Sequence, residues 1–230
     1  MNVVVLLGAP GAGKGTQAPL LATRLGIPVV ATGDLFRAAV RDGTPLGLEA
    51  RRYMDAGQLV PDGITVKLLL DRLSRPDAAD GVILDGFPRT GVQAAALDGA
   101  LTERGARVCI AVLVDVPADE LVRRMSGRWI CRQAGHPYHE VFSPPHVPGT
   151  CDLDGSELYQ RADDRPETIR ARMDQQLGAL TEVLDHYRTA GVLTAVDGLR
   201  PIMGVADAIA SAVTAAGLQL RDTASGTVAS

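Results

Sequence analysis

The residues that decide the fold are Val3-Val-Val-Leu-Leu7 and, directly after them, Gly8-Ala-Pro-Gly-Ala-Gly-Lys-Gly-Thr16. An unbroken apolar run that ends in glycine is typical of a strand buried on both faces of a parallel sheet. The glycines allow the backbone to curl so that successive N–H groups face a phosphate, and the helix that follows adds the positive end of its dipole. The pattern therefore predicts a strand, a phosphate-binding loop and a helix.

This loop departs slightly from the strict pattern G-x-x-x-x-G-K-[ST], because Gly15 follows the lysine and Thr16 comes next. Lys14 is expected to reach the β- and γ-phosphates of ATP, and Thr16 is a candidate ligand of Mg²⁺. The alternative is a glycine-rich turn without a ligand. The residues expected to bind the ATP phosphates are Gly11, Ala12, Gly13, Lys14, Gly15 and Thr16.

Further short apolar runs resemble the first one and are separated by amphipathic, helix-like stretches. Strands that alternate with helices predict an α/β fold in three layers around a central parallel sheet of about five strands. The longest helix is expected to begin near Pro166 and to end near Arg188. The additional strands are predicted at Pro28 to Ala31, Gly81 to Leu84, Arg107 to Val114 and Gly191 to Val196.

An acidic residue, Asp85, stands at the carboxyl end of the predicted third strand. Ligands of open α/β sheets bind at this edge, so Asp85 is a candidate Walker B acid that orients the water shell of Mg²⁺ beside Thr16. A carboxylate that only caps the following turn is the alternative.

The composition is that of a globular protein with one main domain: 230 residues, 46% of them hydrophobic and 22% charged, with a net charge of −4. The net charge gives no reason to expect nucleic acid as a partner. The N-terminal apolar run is too short for a signal peptide or a membrane span, so we expect a cytoplasmic protein without a membrane partner. Cys109, Cys131 and Cys151 are then expected as thiols or metal ligands.

The regular pattern breaks between Arg128 and Arg161, where prolines and glycines interrupt any helix. Such a stretch is too long for a simple connection and indicates a functional insertion such as a lid. At the other end of the chain, residues 219–230 have no apolar period and are expected to form a disordered tail.

Three further segments, taken together with the loop, resemble the adenylate kinase family. They are Thr32-Gly-Asp-Leu-Phe-Arg37, Asp85-Gly-Phe-Pro-Arg-Thr90 with Gln93, and Asp163-Asp-Arg-Pro-Glu-Thr-Ile-Arg-Ala-Arg172. The resemblance extends to about Leu218. It implies a P-loop kinase core of residues 1–31, 63–127 and 162–218, an AMP-binding helical insertion at 32–62 and a long lid at 128–161.

The resemblance also implies two nucleotide sites. Gln93 offers an amide to the adenine edge of AMP, and Arg37 and Arg89 can clamp its phosphate with bidentate hydrogen bonds. The residues implied for AMP are Thr32, Arg37, Gln58, Leu59, Val60, Gly86, Phe87, Pro88, Arg89, Gln93, Arg161 and Arg172. Those implied for ATP, besides the loop, are Arg124, Arg128, Pro137, Tyr138 and Arg200.

The predicted function is reversible, Mg²⁺-dependent transfer of the terminal phosphoryl group of ATP to AMP by a monomer, giving two ADP. Such a transfer needs in-line positioning and neutralised oxygens but little covalent chemistry. The residues expected to carry it are Lys14, Asp85, Arg89, Arg128, Arg161 and Arg172.

Three alternatives stay open. A UMP or CMP kinase is disfavoured because those relatives have a short lid loop, whereas a GTP:AMP phosphotransferase is harder to exclude. A non-catalytic nucleotide-binding module would be expected to lack one of the catalytic residues, and none is missing.

The lid is similar to those of zinc-bearing family members, but its ligand set is incomplete. The matching positions are Cys131, Ala134, Cys151 and Asp154, and alanine cannot bind a metal. His136 is a conceivable substitute, but a lone histidine in a polar loop is usually not a ligand. We therefore expect a lid without structural zinc, held together by hydrogen bonds or apolar packing.

Overall fold

The computed structural model describes residues 1–56, 58–160 and 166–221, and within residues 166–175 it describes the backbone alone. In this part of the chain the strands are β1 (Asn2–Leu7), β2 (Val29–Ala31), β3 (Gly81–Asp85), β4 (Arg107–Asp115), β5 (Arg128–Cys131), β6 (Pro137–His139), β7 (Leu158–Tyr159) and β8 (Leu193–Asp197). The helices are α1 (Lys14–Leu25), α2 (Thr32–Arg41), α3 (Pro45–Asp55), α4 (Asp62–Leu73), α5 (Gly91–Thr102), α6 (Ala118–Ser126), α7 (Pro166–Thr189) and α8 (Ile202–Ala215).

The central sheet has five strands in the order β2-β3-β1-β4-β8, and every neighbouring pair is parallel. Each of its strands coincides with one of the predicted apolar runs, so the predicted α/β fold is confirmed. The register places Leu6 of β1 opposite Asp85 of β3. The loops after β1 and β3 therefore leave the sheet side by side, which brings the phosphate-binding loop next to Asp85.

Helices bury both faces of the central sheet. Because alternate residues of each strand point to opposite faces, every strand contributes side chains to both apolar layers. On one face, Val4 and Leu6 pack with residues of α1, α6 and α8. On the other face, Val3, Val5 and Leu84 pack with residues of α4, α5 and α7. The two apolar layers fix the carboxyl edge of the sheet, on which the candidate site is built.

Two smaller structures project from this core, at the places where the sequence predicts insertions. Helices α2 and α3 lie between β2 and α4 and share an apolar cluster of Phe36, Ala50 and Val60. The predicted lid contains a three-stranded antiparallel sheet in the order β6-β5-β7. The division of the chain into these units stays a prediction.

The chain after α8 contacts the core as far as Arg221, and the predicted disordered tail at 219–230 stays a prediction. The backbone N–H of Arg221 donates to the carbonyl of Arg24 at 2.6 Å, and Leu220 packs against the core. The remainder of the predicted tail, 222–230, lies outside the described residues. Among the described residues there is no helix with the length and apolar character to cross a membrane.

Candidate active site

A cavity of about 1410 Å³ opens at the carboxyl edge of the central sheet. Its walls come from the loop after β1, from α2, α3 and α4, from the loop after β3, from α6 and from the lid. The cavity therefore joins the segments from which the sequence predicts two nucleotide sites. The predicted site residues that border it are Gly11, Ala12, Gly13, Lys14, Gly15, Thr16, Thr32, Arg37, Gln58, Leu59, Val60, Asp85, Gly86, Arg89, Gln93, Arg124, Arg128, Pro137, Tyr138 and Arg200.

The loop after β1 has a conformation that favours glycine at two positions. Gly11 has φ 87° and Gly13 has φ 94°, a left-handed region in which residues with a side chain are strained. A Cβ at Gly11 would also stand 2.9 Å from the carbonyl oxygen of Leu121. Lys14 lies at the start of α1, and its Nζ donates to the carbonyls of Gly8 at 2.7 Å and Ala9 at 3.0 Å. The loop therefore holds its lysine in place at the mouth of the cavity.

Asp85 ends β3 and faces the same loop. A Cβ built on Gly15 would lie 3.7 Å from its Oδ2. Burial raises the pKa of Asp85, and the positive charges of Lys14 and Arg89 oppose that shift.

On the other side of the cavity, Thr32 and Arg89 are both held by the carbonyl of Gly86. The Thr32 hydroxyl donates to this carbonyl at 2.8 Å, and Arg89 Nε donates to it at 2.7 Å. Arg37 forms an ion pair with Asp34 one turn earlier on α2. The two arginines predicted for the AMP phosphate are thus brought to one wall.

Gln93 is almost completely buried on this wall, with 1% of its surface exposed. Its Oε1 accepts from the backbone N–H of Arg89 at 2.8 Å, and its Nε2 donates to Asp62 Oδ1 at 2.7 Å. The sequence reasoning missed Asp62, because nothing in the local pattern links the first turn of α4 to α5. Only the tertiary packing of these helices places the carboxylate beside the amide.

The wall predicted for the ATP base contains Arg124 and an aromatic residue that the sequence reasoning missed. Arg124 donates to Glu120 at 2.8 Å and to the carbonyl of Gly198 at 3.0 Å. The ring of Phe142 in the lid lies 5.8 Å from the guanidinium of Arg124 and 4.8 Å from that of Arg123. Two arginines and one aromatic face offer stacking surfaces to a planar base.

Some predicted residues are not brought to the cavity. Phe87 buries its ring in the core with 1% of its surface exposed, and neither Phe87 nor Pro88 borders the cavity. Arg161 and the side chain of Arg172 lie outside the described part of the chain, so their roles remain predictions.

The lid contains a cluster of four potential metal ligands: Cys131, His136, Cys151 and Asp154. Their ligand atoms all lie within 4.8 Å of one another. His136 Nδ1 is 3.3 Å from the sulfur of Cys151 and 3.4 Å from Asp154 Oδ2. His136 therefore supplies the fourth donor that the sequence analysis expected to be missing at Ala134.

Hydrogen bonds hold this cluster together, and its thiols are buried. The Cys131 thiol donates to Asp154 Oδ2 at 2.9 Å, and its sulfur lies 3.0 Å from the Ser156 hydroxyl. The hydrogen bond from Cys131 lowers the pKa of Asp154. The Tyr138 hydroxyl lies 3.4 Å from the sulfur of Cys151. The side chain of Tyr138 thus belongs to the core of the lid.

The sequence matches known proteins over most of its length. A family model described as "Adenylate kinase" matches residues 6–192. The chain belongs to the adenylate kinase family. It is 48% identical over 202 residues to an adenylate kinase of Lysinibacillus sphaericus, a match that covers 88% of this chain and 93% of that protein.

Other relatives match over a similar length. An adenylate kinase of Acidothermus cellulolyticus is 48% identical over 199 residues, which are 86% of this chain and 92% of that protein. An adenylate kinase of Methanothrix thermoacetophila is 47% identical over 214 residues, which are 93% of this chain and 99% of that protein. The predictions of family, fold and a phosphotransferase of the adenylate kinase type are confirmed.

Proposed function

We propose that the protein catalyses the reversible, Mg²⁺-dependent transfer of the terminal phosphoryl group of ATP to AMP, giving two ADP. The observation that carries the proposal is that the phosphate loop and the Arg89–Gln93 wall open into one cavity. ATP bound at the loop and AMP bound at that wall would direct their phosphates toward each other, which an in-line displacement requires.

On the donor side, Lys14 supplies a fixed positive charge for the developing charge on the transferred group. Its position is already set by hydrogen bonds to the carbonyls of Gly8 and Ala9 in the loop. A charge that needs no reorganisation during the reaction stabilises a transition state more than a mobile one. Arg128, Arg161 and Arg172 are proposed to add to this field from the lid and from the start of α7.

Magnesium is the metal that this chemistry implies, and the residues present fit it. Thr16 and Asp85 offer a hydroxyl and a carboxylate at the same wall, and hard oxygen ligands are those that Mg²⁺ prefers. The ion keeps much of its water shell in such sites, so both residues are proposed to act mainly through water. When bound, it neutralises phosphate oxygens and holds the chain of phosphates in place.

On the acceptor side, Arg37 and Arg89 are proposed to hold the phosphate of AMP, with Gln93 at the adenine edge. The attacking group is an AMP phosphate oxygen that is already ionised at neutral pH, so the reaction needs no general base. Gln58, Leu59 and Val60 border the same space and would cover the nucleoside. The lid is proposed to exclude water, which prevents hydrolysis of ATP.

We also propose, against the expectation of a lid without zinc, that the lid cluster binds a zinc ion. Two thiolates, one imidazole and one carboxylate form a complete tetrahedral set. Ligands of tetrahedral zinc lie roughly 3.3–3.8 Å apart, and the ligand atoms of the cluster lie within 4.8 Å of one another, so small side-chain adjustments would complete the geometry. The metal would stabilise the lid and take no part in the transfer.

The proposal includes a monomer in the cytoplasm without nucleic acid or membrane partners. It is supported by Cys109, Cys131 and Cys151, which form no disulfide bond in the described part of the chain, as suits a reducing compartment.

A coupled assay of ADP formation from ATP and AMP tests the proposed function. Activity that needs both nucleotides and Mg²⁺, and that stops on addition of EDTA, is the expected result. Turnover of ATP without AMP, or no turnover with purified folded protein, would overturn the proposal.

A further inference from the structure

The buried amide of Gln93 is held from two sides by groups of opposite hydrogen-bonding character. The backbone N–H of Arg89 can only donate, and it points at Oε1 at 2.8 Å. The carboxylate of Asp62 can only accept when ionised, and its Oδ1 lies 2.7 Å from Nε2. Each of these two hydrogen bonds is sufficient to assign the oxygen and the nitrogen of the amide, and both give the same assignment.

Asp62 is itself held in place. The hydroxyl of Thr90, the residue that precedes α5, donates to Asp62 Oδ2 at 3.1 Å. The same hydroxyl accepts from the backbone N–H of Gln93 at 3.2 Å and so caps the helix. Asp62, Thr90 and Gln93 therefore form a closed network across the first turns of α4 and α5.

A carboxamide has two lone pairs on oxygen and two hydrogens on nitrogen. In the hydrogen bonds of the described residues, Gln93 uses one lone pair for Arg89 and one hydrogen for Asp62. One acceptor and one donor remain, and Gln93 borders the cavity. Their order is fixed, because a rotated amide would turn its N–H₂ toward the Arg89 N–H and its oxygen toward a carboxylate.

This order discriminates between purines. The edge of adenine presents a donor at its 6-amino group and an acceptor at N1, which match an oxygen and an N–H of the amide. A 6-oxo purine presents an acceptor at O6 and a donor at N1, which is the reverse. A 6-oxo purine would match only the rotated amide of Gln93. The Arg89 N–H and the Asp62 carboxylate disfavour that orientation.

We propose that Asp62 is a positioning residue that fixes the amide of Gln93 and so selects 6-amino over 6-oxo purine monophosphates as acceptors. The inference rests on the proposed function, since it assigns the base edge of the acceptor to Gln93. Asp62 does not touch the reacting atoms. Asp62 influences the choice of acceptor base only through the orientation of the Gln93 amide.

The test is a comparison of kcat/KM for AMP and for inosine monophosphate, with ATP as the donor, in the wild type and in Asp62→Asn. Inosine monophosphate has a 6-oxo group and no 2-amino group, so it changes the polarity of the edge without adding bulk. Asparagine can donate or accept, so it no longer opposes the rotated amide. We expect the AMP preference to fall by about tenfold or more, because a mismatched buried edge is costly only while the amide cannot rotate.

Asp71→Asn is the matched control, because it removes the same charge from the same helix at a site that is 72% exposed. It is expected to leave the preference at the wild-type value. If Asp62→Asn does not fold, Asp62→Ser provides the same test with a smaller side chain. If turnover of a variant is too slow, calorimetric affinities for the two nucleotides give the same ratio.

Efficiencies that fall equally for both acceptors, with a ratio within about twofold of the wild type, would overturn the inference and leave Asp62 a purely structural residue. Such a result would not affect the proposed function, which fails only if the wild type does not phosphorylate AMP.

Discussion

At the scale of single residues, the loop after β1 holds the side chain of Lys14 in one position. Its ammonium group is bonded to carbonyls of Gly8 and Ala9, which belong to the loop itself. These hydrogen bonds restrict the conformations of the Lys14 side chain, so binding of a phosphate there would cost less side-chain entropy. The side chain borders the cavity and is not part of the apolar core.

Lys14→Met is therefore expected to lower kcat by about 10²–10³-fold or more, while the melting temperature stays close to that of the wild type. The sequence offers a matched control, since Lys67 is the only other lysine and its side chain is exposed on α4. Lys67→Met should retain wild-type turnover in the same coupled assay. Near-normal turnover of the Lys14 variant would contradict the role assigned to the loop.

At the scale of elements, α2 and α3 can pack closely because a glycine stands at their contact. A Cβ on Gly47 would lie 2.2 Å from the backbone carbonyl of Ala39, a distance that backbone atoms cannot accommodate without moving. The turn between the helices is further fixed by Thr44, whose hydroxyl accepts from the backbone N–H of Gly47 at 3.1 Å. This pair of helices forms one wall of the cavity.

Gly47→Ala is expected to lower the free energy of unfolding by about 1–3 kcal/mol, since the two helices must separate to admit the methyl group. Gly63→Ala is the control, because a Cβ there meets nothing within 4 Å. That change should leave stability unaltered or raise it by up to about 1 kcal/mol. Urea denaturation of the two variants measures both effects, and equal stabilities would refute the packing argument.

The lid is the second element whose stability can be tested. Protein purified without a histidine tag should contain about one equivalent of zinc, and a chelator should lower its melting temperature. His136→Ala should lose the metal and melt at least about 3 °C lower, because the ligand set becomes incomplete. His146→Ala is the control, since that side chain is 90% exposed and lies outside the cluster.

Absence of zinc in the wild type, together with a melting temperature that does not respond to the chelator, would restore the original expectation of a metal-free lid. Iron or another metal in place of zinc would keep the site and change its occupant.

At the scale of the whole molecule, the cavity exists because distant segments converge at one edge of the sheet. The phosphate loop comes from the beginning of the chain, Gln93 from α5 and Arg200 from the loop before α8. None of these segments forms a site alone. The two apolar layers that bury the sheet support the strands after which the phosphate loop, Gln93 and Arg200 follow.

AMP should accordingly be a much better acceptor than UMP, CMP or GMP. The acceptor wall is polar and buried at Gln93 and Thr32, with exposed fractions of 1% and 2%. A base with the wrong edge would not match the remaining donor and acceptor of the Gln93 amide, and each buried polar group left unsatisfied costs roughly 1–3 kcal/mol. Steady-state efficiencies with each monophosphate measure the preference, and equal values for AMP and UMP would place the protein with kinases of other nucleotides.

The sequence by itself determined the parallel sheet and the glycine-rich loop after its first strand, and the site residues named from contiguous motifs stay predictions. These features depend on local patterns: apolar runs bounded by helices, glycines at positions of positive φ, and Asp85 at the end of a strand. Each follows from backbone geometry and burial, which a short stretch of sequence already encodes. The family resemblance then supplied the roles of the arginines.

Only the tertiary structure decided the contacts between segments far apart in the chain. The packing of α4 on α5 puts Asp62 beside Gln93, and the folding of the lid brings His136 to the position that Ala134 cannot fill. The same packing turns Phe87 into the core and away from the cavity. Such contacts depend on the relative placement of whole elements, which the spacing of residues along the chain does not specify.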